Sequence, residues 1–149
     1  MQAPKQLKSP LYRFLVAYYA VLQTLHILFL TRAGWIWSTS GQIVFPAPPP
    51  SAGWDVQTIP FLIGMGLVDA AAAALGIIFA YRTLVLQRDD NLTSGLVSLT
   101  IAAASALIFA IGTFSAGAWS QSPLSYGLLV LAFSPAFLFL LRIIKSRPI

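Results

Sequence analysis

The feature that most constrains this chain is a set of four long apolar segments. They cover Leu11–Leu30, Ile59–Tyr81, Leu92–Phe114 and Pro123–Leu141. Roughly 20 residues of helix cross a hydrocarbon core of about 30 Å, so each segment is long enough to span a bilayer. Backbone amides inside lipid have no water to bond, and each span therefore has to be helical. The sequence predicts an all-α integral membrane protein, a four-transmembrane-helix bundle that forms a single membrane domain over residues 1–149.

The composition excludes the alternatives to a membrane protein. Charged residues make up 9% of the chain, whereas an ordinary soluble domain carries about 25%. Hydrophobic residues make up 58%, which excludes a disordered chain because disorder requires few apolar residues. The net charge of +5 could indicate nucleic-acid binding, but the basic residues flank the apolar segments and do not cluster with aromatic ones. We therefore expect membrane lipids as partners and no nucleic acid.

The segments between the spans differ in character. The first connector, residues 31–58, holds three of the four tryptophans and the proline run Pro46–Pro50. Residues 82–91 form a short charged connector, residues 115–122 an uncharged one, and residues 142–149 a basic tail. Tryptophans are enriched where a protein meets the lipid headgroups. We expect the first connector to lie at that surface.

The basic residues predict the orientation of the chain. Eight of the nine fall on one side of the predicted membrane, and Arg32 alone falls on the other. The eight are Lys5, Lys8, Arg13, Arg82, Arg88, Arg142, Lys145 and Arg147. Loops rich in lysine and arginine stay in the cytoplasm. The sequence thus predicts cytoplasmic N- and C-termini and an outer first connector. A prokaryotic plasma membrane is the default expectation for the location.

Asp69 is the acidic residue that lies within a predicted span. It lies ten residues into the second segment, near the membrane midplane, where an ionised carboxylate costs at least ~2.5–3.5 kcal/mol. The candidate partners at similar depth are Gln23, Ser105 and Ser134. One interpretation is a site for a proton, cation or ligand. The other is a neutral carboxyl group that ties the helices together by hydrogen bonds.

His26 is the single histidine and shares a helix face with Gln23. Counted along the helix from Leu11, it lies roughly 6–8 Å short of the outer boundary, higher than Asp69. A direct bond between the two would then need a helix offset or unwinding. Haem normally takes a second axial ligand, and Met65 at similar height is the candidate. We do not expect haem or a pigment on His26, and a bound lipid is compatible with the sequence.

The first connector carries a candidate lid. Arg32 and Asp55 lie near its two ends, and a salt bridge between them would close the connector over the mouth of the bundle. Trp35, Trp37 and Trp54 would pack around that bridge. The lid would cover a small apolar ligand. In the alternative interpretation, these tryptophans simply anchor the chain at the interface.

Small residues recur every four positions in the second and third segments. The rows are Gly66, Ala70 and Ala74, then Ala72, Gly76 and Ala80, and finally Ser94, Ser98, Ala102, Ala106 and Ala110. Helices in lipid associate where small side chains let their backbones approach. We therefore expect the two middle helices to form the tightest pair. The fourth segment carries bulky side chains suited to lipid or to another subunit: Leu131, Phe133, Phe137, Phe139 and Leu141.

The residue types present leave little room for catalysis. The chain has no cysteine, one histidine and four acidic residues, so we predict no catalytic residues and no metal site. Two functions remain. The first is an accessory or scaffold subunit of a larger respiratory, photosynthetic or transport complex, with other membrane subunits as partners. The alternative is a stand-alone four-helix binder or carrier of a small apolar ligand (a lipid, a quinone or a sterol-like molecule) with a midplane site at Asp69.

Overall fold

The computed structural model describes residues 9–88 and 91–145, and within these ranges the chain forms four helices. They are α1 (Pro10–Ser40), α2 (Thr58–Leu84), α3 (Leu92–Ser115) and α4 (Pro123–Lys145). Each of the described helices is long and apolar enough to cross a membrane. The predicted all-helical class with four membrane-spanning lengths is confirmed. Five charged residues used in the sequence analysis lie outside the described residues: Lys5, Lys8, Asp89, Asp90 and Arg147.

The helices form a closed ring in which α1 packs on α2, α2 on α3, α3 on α4 and α4 again on α1. The start of α1 and the end of α4 meet at one end of the ring, because the Arg142 guanidinium donates to the Ser9 hydroxyl at 3.4 Å. The Ser9 hydroxyl also caps α1 by accepting from the Tyr12 amide at 3.2 Å. We call this end, which carries Arg13, Arg82 and Arg142, the basic end. The opposite end is the loop end.

α1 is longer than the apolar segment that predicted it. It continues ten residues beyond Leu30 and ends at Ser40. Residues 31–40 contain no proline, and the Thr31 hydroxyl bonds back to the carbonyl four residues earlier. The helix stops at Gly41, whose φ of 69° is left-handed and whose amide donates to the Trp37 carbonyl. Residues 31–40, which the sequence places in the connector, are therefore helical, and the connector shortens to residues 41–57.

The packed core of the bundle lies towards the basic end and is centred on Phe139. Its ring is fully buried. The centroid of this ring lies 5.7 Å from that of Tyr12, 6.1 Å from that of Tyr19 and 6.3 Å from that of Phe79. The expectation that Phe139 faces lipid or another subunit is therefore wrong. The buried positions of α4 are Ala136, Phe139 and Ile143, whose spacing of three and four residues defines one inward stripe.

Two glycines let α2 and α3 approach closely in this packed half. A Cβ at Gly95 would lie 2.6 Å from the Phe79 ring, and a Cβ at Gly76 would lie 2.8 Å from the Ser98 hydroxyl. The Ser98 hydroxyl donates across the interface to the Ala72 carbonyl at 2.6 Å. The predicted row of small residues that contains Gly76 is buried at all its positions. In this half of the bundle the middle helices pack as expected.

The connector between α1 and α2 folds over the loop end of α3 and α4. Ala47 is buried against Trp119, whose indole N–H donates to the Thr113 hydroxyl at 2.8 Å. The rings of Phe45 and Trp54 meet edge to face with centroids 5.4 Å apart. These contacts fix the connector against the bundle and bring residues 43–46 over its interior.

Candidate ligand cavity

The loop half of the bundle contains a partly open cavity of about 690 Å³ that is lined from all of α1–α4 and from the connector. Cavities of roughly 300–1,000 Å³ with mostly apolar walls are typical of small-molecule sites. Most of the lining side chains here are aliphatic or aromatic. Among them are large residues of α4, Phe133 and Phe137, and small residues of the other helices: Ala33, Gly34, Gly66, Ala70, Ala102, Ala106 and Ala110.

The small side chains explain why the cavity lies in this half. At the basic end, large aromatic side chains such as Phe79 and Phe139 fill the centre of the ring. In the loop half, α2 and α3 present glycine and alanine at several of the lining positions, which leaves space between the larger side chains. Ala102, Ala106 and Ala110, which the sequence predicts as a packing surface, line the cavity, and Ala102 also packs against the core. A row of small residues permits either outcome, since it fixes only the size of the side chains.

The lid over the loop end is formed by residues 43–46, which line the cavity. Of the tryptophans predicted for this role, Trp37 also lines the cavity. The ring of Trp54 contacts the ring of Phe45 edge to face. Trp35 is 70% exposed and points away from the site. The apolar run Ile43–Phe45, two residues after the helix-ending Gly41, is a sequence signal that could have predicted this lid.

The predicted salt bridge between Arg32 and Asp55 is wrong. Arg32 is exposed on α1, and within the described residues no ion pair joins it to Asp55. The Asp55 carboxylate instead accepts from the Thr58 hydroxyl at 2.5 Å and from the amides of Thr58 and Gln57 at 2.7 and 2.8 Å. The hydrogen bonds from Thr58 come first in holding the pKa of Asp55 below its ordinary value of 3.8. Asp55 therefore fixes the start of α2, an effect present above that pH and lost as the carboxylate is protonated.

His26 and Asp69 meet at the inner end of the cavity. His26 Nε2 lies 3.7 Å from Asp69 Oδ2, with the side chains 23% and 15% exposed. Both residues lie inside uninterrupted helices, so their approach involves no unwinding. The distance is longer than a hydrogen bond, and the expectation that a direct bond needs a helix offset stays a prediction.

The two serines predicted as partners of Asp69 have different positions. The buried hydroxyl of Ser105 faces the Asp69 carboxyl from α3. Ser134 is exposed and donates to the Leu131 carbonyl at 2.8 Å. Pro135 has no amide to offer that carbonyl, so the neighbouring hydroxyl takes its place. Ser105 thus belongs to the site, whereas Ser134 satisfies a backbone carbonyl of its own helix.

A chain of polar side chains continues from the cavity into the packed half. Gln23 lines the cavity, is 4% exposed and interacts with the Tyr19 hydroxyl. That hydroxyl lies 2.7 Å from the Ser98 hydroxyl. Because the single proton of Ser98 goes to the Ala72 carbonyl, Tyr19 is the donor to Ser98. This series of hydrogen bonds therefore ends on the backbone carbonyl of Ala72, beneath the cavity. The hydrogen bond between Tyr19 and Ser98 was not predicted from the sequence, although Tyr19 lies one turn from Gln23.

The expectations for cofactors remain predictions. His26 and Met65 both line the cavity, but the His26 ring nitrogen Nε2 faces Asp69. In the described part of the chain, no three His, Asp or Glu side chains are grouped closely enough to hold a metal ion. The cavity offers hydrogen bonds and apolar contact at its inner end.

No protein-family model, curated protein or solved structure shows significant similarity to this chain. A functional proposal therefore depends on the geometry of the cavity. Its volume, its apolar wall and the three polar side chains at its inner end, Gln23, His26 and Asp69, are the features that any function has to explain.

Proposed function

We propose that this protein binds a small, largely apolar molecule (a lipid, a quinone or a sterol-like molecule) in the cavity between α1, α2, α3 and α4. The observation that carries the proposal is the cavity of about 690 Å³ with Gln23, His26 and Asp69 converging at one end. Apolar walls with a few placed polar groups are typical of ligand sites. A carboxyl group that served only to tie helices together would not need such a cavity beside it.

The wall of the cavity supports access from the lipid phase. Leu25, Leu67 and Val130 line the cavity from three different helices and remain about half exposed or more. In a bilayer these positions are covered by acyl chains. A lipophilic molecule would then reach the cavity laterally, while residues 43–46 cover the loop end.

Filling the cavity should abolish binding. Ala106 lines the cavity, so the ring of an Ala106→Phe variant would occupy the space of the ligand. We expect apolar molecules that copurify with the wild-type chain in mild detergent to be depleted at least about tenfold in this variant. Mass spectrometry of organic extracts measures their amounts.

The matched control is Ala104→Phe, because Ala104 lies two residues away on α3 and is exposed outside the cavity. This variant should retain the wild-type set of copurifying molecules. Equal extracts from all three proteins, after normalisation to protein, would contradict the proposal.

The orientation in the membrane is part of the proposal. The basic residues of the described chain that lie at the basic end are Arg13, Arg82, Arg88, Arg142 and Lys145. Arg32 lies towards the loop end. The positive-inside rule then supports a cytoplasmic basic end with both termini inside, and we propose a prokaryotic plasma membrane as the location.

Single cysteines test this orientation, since the chain has none of its own. We expect a membrane-impermeant maleimide to label Ser51→Cys in intact cells. Leu86→Cys, which lies beyond α2 at the basic end, should react only after the membrane is opened. The reverse pattern would overturn the proposed orientation.

One observation favours a second candidate, an accessory or scaffold subunit of a larger membrane complex. Exposed leucines form one stripe along α4: Leu124, Leu128, Leu131 and Leu138. Their spacing of four, three and seven residues matches a helix-packing seam. If this face contacts another subunit, the particle extracted in mild detergent should be larger than one chain, as judged by native mass spectrometry. A monomeric particle would contradict that candidate and leave the ligand proposal intact.

A further inference from the structure

Resting on the proposed function, the geometry points to a narrower class of ligand. We propose an uncharged, mostly hydrocarbon molecule with one terminal hydrogen-bonding oxygen, either a hydroxyl or a carbonyl. The oxygen lies at the inner end of the cavity beside Gln23, His26 and Asp69, and the hydrocarbon extends towards residues 43–46. The polar group of the ligand is thus held deep in the membrane.

The distribution of polar groups around the cavity supports this orientation. In the described chain, the hydrogen-bonding side chains that line it are Gln23, His26 and Asp69 at the inner end and Trp37 and Tyr126 near the loop end. The first three converge, because His26 and Gln23 lie one turn apart on α1 and Asp69 faces His26 from α2. The wall between the two groups is apolar. A single polar atom on the ligand therefore finds several hydrogen-bonding partners at one position, the inner end of the cavity.

The His26–Asp69 pair has hydrogen-bonding capacity left for a ligand. The distance of 3.7 Å between its nitrogen and oxygen is longer than a protein hydrogen bond, which is about 2.7–3.2 Å. Both side chains are partly exposed and line the cavity. A ligand oxygen beside them would accept from one and, if it is a hydroxyl, donate to the other. Gln23 adds an amide that offers both a donor and an acceptor.

The charge of the site argues for a neutral ligand. An anionic head would lie beside the Asp69 carboxyl, and Arg32 is not among the lining residues. A cationic head would have to replace His26 as the partner of Asp69. The anion would be an unmatched charge at depth in the membrane, where isolated charges are costly. The cation would leave the His26 imidazole without the carboxyl group that it faces.

Four probes with the same hydrocarbon test this ligand class, and each carries two bromine atoms at the middle of its octadecyl group. They are the alcohol, the phosphate, the trimethylammonium compound and the plain alkane. Bromine quenches tryptophan fluorescence, and Trp37 lines the cavity. With the full-length protein in nanodiscs, we expect the alcohol to bind about tenfold more tightly than the other three, the size of one good hydrogen bond.

Variants of the inner end assign that preference to its side chains. Asp69→Leu should reduce the affinity for the alcohol to that for the bromoalkane. Asp69→Asn retains shape and hydrogen bonding and should keep the preference within about threefold. Ser134→Ala, outside the cavity, should leave all affinities unchanged. If Asp69→Leu does not fold, the wild-type ranking of the four probes still decides.

The outcomes separate this inference from the function on which it rests. Equal binding of the four probes, or a preference for the phosphate or the ammonium head, overturns the neutral class if Ala106→Phe still blocks binding. If Ala106→Phe changes the quenching of no probe, the proposed function fails as well. A preference for the alcohol that Asp69→Leu removes supports both.

Discussion

Replacing Phe139 with alanine is expected to lower the free energy of unfolding by about 3–5 kcal/mol. The ring is fully buried and contacts the rings of Tyr12, Tyr19 and Phe79. Lipid is as apolar as the core, so the loss comes from missing van der Waals contacts between the helices. Unfolding in detergent followed by circular dichroism measures the change.

The neighbouring residue supplies the control for this substitution. Leu138 is 64% exposed and removes few contacts when truncated, so Leu138→Ala should change the free energy of unfolding by no more than about 0.5 kcal/mol. A comparable loss in the two variants would mean that Phe139 is not the centre of the packed half.

Gly76→Leu is expected to destabilise the bundle by roughly 3 kcal/mol or more, or to prevent its assembly. A Cβ alone would lie 2.8 Å from the Ser98 hydroxyl, 2.9 Å from the Tyr19 ring and 3.1 Å from Gln23. These neighbours belong to α1 and α3, so a larger side chain would push both helices away from α2. Gly76→Ala should show a smaller loss, because the better helix propensity of alanine offsets part of the clash.

The control for crowding is Gly127→Leu on α4. A Cβ there meets no atom within 4 Å, so the variant should be at least as stable as the wild type. If Gly76→Leu unfolds at the same denaturant concentration as Gly127→Leu, the close approach of the three helices at Gly76 is contradicted.

Segment length and hydropathy were sufficient to predict the class of the fold. Each apolar segment corresponds to a helix, because a span in lipid has to be both long and helical. The end of α1 was not predictable in the same way. The apolar segment ends at Leu30, yet the helix continues through the more polar residues 31–40 until Gly41 stops it.

The candidate site was predictable only in part, for a physical reason. Asp69 and His26 are unusual residues within an apolar segment and could be selected from the sequence. Their approach depends on the relative heights of α1 and α2, which counting residues along each helix does not determine. The roles of Ala106 and Phe139 depend on which face of each helix points inward, and small or bulky side chains are compatible with several faces.

The most direct test of the cavity is photolabelling with an octadecanol that carries a mid-chain diazirine, followed by mass spectrometry of the labelled peptides. We expect labels concentrated on cavity residues such as Met65 and Phe133, reduced by excess unlabelled octadecanol and lost in Ala106→Phe. Labels spread over outward positions such as Val21 and Ile78, which are exposed to lipid, and unchanged in Ala106→Phe would contradict it.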